Sequence, residues 1–96
     1  FKLYSAMTKA LSIRVYGKVQ GVNYRLFAYR LAQELNLMGW VENKDDGTVQ
    51  LHAEGDESQL KNLVDGLRIG PTQARVDKLE LSQIDSFNCH EFIIKK

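Results

Sequence analysis

The chain is poor in the features that mark secreted, membrane-bound or nucleic-acid-coating proteins. It holds one cysteine, Cys89, among 96 residues. A lone cysteine cannot close an internal disulfide, so a reducing, cytoplasmic setting fits. No apolar run approaches the roughly 18 residues a membrane-spanning helix requires, and Phe1 to Ala10 lacks the apolar core of a signal peptide. Neither charge is in excess: 13 Lys+Arg against 12 Asp+Glu leave a formal +1. Whole-molecule electrostatics therefore gives no pull toward nucleic acid or a membrane surface. Repeats, low-complexity tracts and linkers are missing, and proline occurs once, at Pro71.

What is there suffices for one small domain. The chain is 44% hydrophobic and 26% charged, ordinary for a globular protein of this length. Residues 8–96 read as that single domain. Residues 1–7 fit no element, and we expect a disordered leader or expression remnant there, with Met7 the natural start.

Periodicity supplies the elements. From Thr8 to Tyr16, Leu11, Ile13 and Val15 alternate with Ser12, Arg14 and Tyr16, which predicts a strand with one buried face. From Tyr24 to Leu37 the apolar positions Tyr24, Phe27, Ala28, Leu31 and Leu35 recur at three- and four-residue steps, which predicts an amphipathic helix. A strand begins at Trp40, Asp46-Gly47 signals a hairpin turn, and Thr48 to Ala53 returns as a strand. His52 falls on the strand face opposite Val49 and Leu51, where a solvated side chain is expected. Asp56 or Ser58 caps a second helix striped by Leu60, Leu63, Val64 and Leu67, which Gly70-Pro71 stops. Ala74 to Ile84 is a long strand whose apolar phase slips between Val76 and Leu79, the mark of a bulge or of a rotation of exposure. Ser82 to Asn88 is polar and turn-like, and Cys89 to Ile94 is a short last strand. The βαββαβ order predicts an α+β, ferredoxin-like sandwich. Right-handed crossovers put both helices on one face of an antiparallel sheet and leave the other face largely solvated.

The chemistry concentrates in the stretch Gly17-Lys18-Val19-Gln20-Gly21-Val22-Asn23-Tyr24-Arg25, between the first strand and the first helix. Two glycines let backbone N–H groups turn toward one point. The helix start adds free donors and a partial positive charge, and Arg25 adds a planar fork that fits phosphate or carboxylate. Spacing alone favours a simple chain-turning loop, which is what most such strand-to-helix loops are. The stretch is neither a nucleotide P-loop nor a dinucleotide fingerprint, since the Gly-Lys-Ser/Thr ending and the third glycine are missing.

These nine residues resemble an acylphosphatase-family signature, Gly-x-Val-Gln-Gly-Val-x-(Phe/Tyr)-Arg. Gly39-Trp40-Val41-Glu42-Asn43-Lys44-Asp45-Asp46-Gly47 resembles that family's second signature, and Gly70-Pro71 with Ala74-Arg75-Val76 its C-terminal part. The likeness runs from about Ala10 to Ile94. It implies the ferredoxin-like fold and hydrolysis of acyl phosphates to a carboxylate and inorganic phosphate. Carried over, the backbone N–H groups of Gln20, Gly21, Val22, Asn23, Tyr24 and Arg25 cradle the phosphate, Arg25 binds it, and Asn43 positions the attacking water. No metal or cofactor is implied, and a monomer acting on a small-molecule substrate is the expectation. Asn23 departs from a slot the family often fills with glycine, and Tyr24 stands in the aromatic slot.

Other readings stand beside this one. A regulatory domain would keep the cradle and bind phosphate or another anion without turnover. An RNA-binding module would need stacking aromatics on the sheet, where only Tyr16 and Trp40 are on offer. Cys89 lacks the arginine six residues on that a cysteine phosphatase uses; that position is Lys95. Asp45 and Asp46 read as turn residues rather than metal ligands.

Overall fold

The computed structural model describes residues 8–96, so the expectation for residues 1–7 lies outside the described residues. The elements run β1 (Thr8–Lys18), α1 (Tyr24–Glu34), β2 (Met38–Asn43), β3 (Val49–Asp56), α2 (Glu57–Ile69), β4 (Arg75–Ile84) and β5 (Phe92–Lys95). The sheet order is β4-β1-β3-β2-β5. β1 pairs antiparallel with β3 and β4, and β2 antiparallel with β3. β5 extends this four-strand unit by pairing parallel with β2, Gly39 opposite Phe92, so the complete sheet is mixed. The fold is the expected ferredoxin-like α+β sandwich.

Strand alternation sends Ile13, Val15, Val41, Val49, Leu51 and Ala53 toward the two helices, where all are fully buried. Leu60, Leu63, Val64 and Leu67 of α2 and Tyr24, Ala28 and Ala32 of α1 close the core from above. α1 stops at Glu34, short of the expected Leu37, because Asn36 turns left-handed at φ 58°. Asp56 is the α2 cap, its side chain accepting from the Ser58 N–H at 3.0 Å. The phase slip in β4 is a bulge: Tyr16 faces Lys78 while Gly17 faces Val76, leaving Asp77 as the extra residue. Gly17 sits there at φ 134°, where a Cβ would run into the Arg75 carbonyl.

The face away from the helices departs from expectation. His52, expected to be solvated, is 3% exposed. Trp40 stacks on its ring from the neighbouring strand at 4.4 Å, and Phe87 covers it at 4.8 Å. His52 Nε2 lies 2.5 Å from Glu54 Oε2. The segment between β4 and β5 folds back over this face, and Glu54 anchors it, accepting from Ser86 Oγ and from the backbone N–H groups of Phe87 and Cys89. Burial pushes the Glu54 carboxyl up, but the His52 bond and those loop donors outweigh it and hold the group well below its ordinary range. Period-two patterning assigns His52 its face and carries no information on what later crosses that face.

Candidate active site

The strand-to-helix loop ends in a left-handed residue. Asn23, the N-cap of α1, has φ 62° and ψ 25° and makes no side-chain cap bond. Gly21 adopts φ 76° two residues earlier. Asparagine is among the few non-glycine residues that take this conformation readily, so the departure at position 23 is compatible with the backbone. The first turn of α1 carries no acidic residue, which leaves the positive end of its dipole uncompensated.

Among the described residues, no backbone N–H from Gln20 to Arg25 has an acceptor within the protein. Buried or partly buried donors are normally paired. Gly21 and Asn23 are exposed, and the first N–H groups of a helix have no intrahelical acceptor, so these donors are open to water or to an external acceptor.

One cavity collects the rest. It is lined by Gly21, Asn23, Tyr24 and Arg25 from the loop and helix start, and by Asn43 from the end of β2. Val19, Leu26 and Ile94 supply apolar walls. The Val22 side chain is buried in the core. The Gln20 side chain also turns away from the cavity, donating through Nε2 to the Lys44 and Thr48 carbonyls at 2.7 and 2.8 Å. Neither Gln20 nor Val22 lines the cavity.

Arg25 is steadied from the far edge of the sheet. Its Nη1 donates to the Lys95 carbonyl at 2.9 Å. A guanidinium has five N–H donors, so the others stay available. Among the described residues no carboxylate pairs with Arg25, and its charge is uncommitted. Asn43 Oδ1 is buried and has no hydrogen-bond partner. An unpaired buried carbonyl oxygen costs about 1–3 kcal/mol, a cost that a ligand or water in the cavity would remove.

Tyr24 is rooted rather than free. Its ring is fully buried in the core, and its hydroxyl donates to the Leu67 carbonyl at 2.7 Å. Burial pushes its phenol up, so it stays neutral at any physiological pH. Asp46 serves the β2–β3 turn, accepting from the N–H and hydroxyl of Thr48 at 3.0 and 2.6 Å. The Gln20 side-chain clamp and the Lys95 carbonyl left no signal in the linear order, because each joins segments far apart in the chain.

Known proteins share this sequence pattern and fold. The acylphosphatase family model matches residues 11–94. An acylphosphatase of Leuconostoc mesenteroides is 43% identical over 88 residues, covering 91% of this chain and 98% of that protein. An acylphosphatase structure from Coxiella burnetii superposes with a TM-score of 0.93 at 32% identity, covering 99% of this chain and 100% of that one. The Bacillus subtilis acylphosphatase structure superposes with a TM-score of 0.89 at 35% identity, covering 94% and 100%. With the family model spanning most of its length and close relatives matched end to end, the chain belongs to the acylphosphatase family.

Proposed function

We propose that the protein hydrolyses acyl phosphates, splitting the carboxyl–phosphate bond to a carboxylate and inorganic phosphate. The observation that carries this reading is the convergence on one cavity of unpaired backbone donors, an uncommitted Arg25 and the orphaned Asn43 oxygen. The names of its relatives point the same way.

The backbone N–H groups of Gln20 to Arg25 take the phosphoryl oxygens, and the Arg25 fork neutralises them. Phosphoryl transfer proceeds through a loose transition state with charge on those oxygens, so positioning and electrostatics are the main work. Asn43 Oδ1 accepts a hydrogen bond from the attacking water and aims it in line with the leaving carboxylate. An amide oxygen is too weak a base to take the proton, which passes to the substrate phosphate. The leaving group is already a stable anion and needs no general acid. Nothing in these roles calls for a metal, and we propose metal-independent turnover by a monomer on a small-molecule substrate.

Hydrolysis of benzoyl phosphate in excess EDTA tests this, with Arg25→Gln and Asn43→Ala in parallel. Turnover in the wild type that falls by about 10²–10³ in Arg25→Gln, the scale of one preorganised donor at developing charge, is expected. Phosphate binding through Arg25 without any turnover would mean that the chain is an anion-binding domain and not an enzyme.

A further inference from the structure

The buried group on the far side of the sheet has no part in this reaction. His52 and Glu54 are two residues apart on β3 and so share the face turned away from the helices. Cys89 reaches the same point from the segment before β5. One ligand atom each from His52, Glu54 and Cys89 lie within 4.8 Å of one another. We propose that these three residues bind one zinc-class divalent cation.

The donor set suits such an ion. Imidazole, thiolate and carboxylate are the ligands zinc takes in tetrahedral sites, three from protein and the fourth open to water. Charge balance is favourable: one carboxylate and one thiolate offset the 2+ of the metal. In the metal-free protein Cys89 is a thiol, its pKa raised by burial and then by the nearby Glu54 carboxylate. A cation between them reverses that second effect. On binding, the Cys89 thiol proton leaves to solvent. His52 turns its Nε2 lone pair to the metal with the ring proton on Nδ1. The Nε2–Oε2 contact at 2.5 Å opens into two metal bonds.

The surroundings provide what supports metal ligands elsewhere. Glu54 Oε1 accepts from Ser86 Oγ at 2.9 Å and from the Cys89 N–H at 3.2 Å, and Oε2 accepts from the Phe87 N–H, which fixes the carboxylate and leaves the second lone pair of Oε2, now turned to His52, for the metal. Trp40 and Phe87 both lie against the His52 ring, their planes within 10° and 13° of its own, and hold its orientation. A surface cavity lined by Glu54, Cys89 and His90 opens directly onto the cluster and gives the ion an entry path. Binding there would pin the 85–91 segment to β3 and so stabilise the fold without touching the phosphate cradle.

Titrating the reduced, metal-free full-length protein with Co²⁺ tests this. One equivalent is expected to produce a thiolate-to-cobalt charge-transfer band and the visible bands of a four-coordinate ion, and Zn²⁺ should displace it. The melting temperature should rise with Zn²⁺ concentration. Cys89→Ser removes the thiolate ligand and should abolish the charge-transfer band. It should weaken zinc binding by more than about 10–100-fold, since even outer partners of metal ligands are worth that much. His52→Phe keeps the aromatic stack and removes the nitrogen ligand, and should lose the tetrahedral spectrum. No charge-transfer band in wild type with Cys89 verified as reduced would overturn the proposal. So would an equal zinc-induced melting shift in wild type and Cys89→Ser. Benzoyl phosphate hydrolysis in Cys89→Ser should equal the wild type, which keeps this test separate from that of the catalytic reading.

Discussion

Gln20 donates its side-chain amide to the Lys44 carbonyl at 2.7 Å, tying the strand-to-helix bend to the turn that follows Asn43. A second bond to Thr48 spans the same turn. The two halves of the candidate site come from segments some twenty residues apart, and this side chain is the direct polar link between them. Gln20→Ala should therefore cost about 0.5–1.5 kcal/mol of stability, the scale of an ordinary hydrogen bond, since both carbonyls keep a backbone donor, Gly47 N–H on Lys44 and Lys44 N–H on Thr48. It should also lower kcat more than it raises KM, because Asn43 would lose its fixed distance from the bend. Urea unfolding and steady-state hydrolysis measure the two effects; an unchanged kcat would reduce Gln20 to a purely structural clamp.

Asn43 separates water placement from charge. Asn43→Ala removes the orphaned oxygen and should lower kcat while leaving phosphate affinity nearly intact. Asn43→Asp keeps an oxygen but sets a carboxylate beside the phosphate cradle. At neutral pH it should weaken phosphate binding as well, which competitive inhibition by inorganic phosphate would reveal.

Arg25→Lys should not restore activity. A lysine ammonium is a point charge and cannot hold the Lys95 carbonyl while presenting a planar pair of donors to phosphate. The expected kcat/KM of Arg25→Lys stays within about tenfold of Arg25→Gln, both far below wild type. Recovery to near wild-type rate would show that charge alone suffices.

Position 23 reads out backbone strain. Asn23 sits at φ 62°, so Asn23→Gly should fold as well as wild type or better, and Asn23→Val should lose about 1–2 kcal/mol. Because its side chain makes no cap bond, Asn23→Gly should also keep its catalytic rate. A large drop in that variant would give the Asn23 amide a role at the phosphate.

Asp46 gives the turn an acid limit. The bonds from Thr48 lead the causes that hold its carboxyl below the ordinary 3.8. A depressed folded-state value means that its contribution is complete above the unfolded-state value and is lost as pH falls through the lowered one. Wild type and Asp46→Ala should thus differ in stability at neutral pH and converge in strong acid. A difference that persists at low pH would mean that the turn does not depend on the ionised group.

Local order was legible wherever one contiguous stretch carries it. The strand-to-helix bend is a strand, two glycines and a helix start in sequence, and its geometry follows from backbone rules that operate over a few residues. The core faces follow from periods of two and 3.6, the Asp56 cap from a residue type, and the β4 bulge from a slip in phase. The β2–β3 turn likewise announces itself in Asp46-Gly47.

Tertiary structure decided whatever joins distant segments. It turned Gln20 from a loop residue into a clamp, seated the Tyr24 hydroxyl on Leu67 and held Arg25 from Lys95. It also buried His52, because the segment carrying Phe87 and Cys89 returns over a sheet face that alternation alone would leave to water. Periodicity reports which face a side chain takes; it carries no record of which remote chain will cover that face, and that choice is made only when the whole sheet assembles.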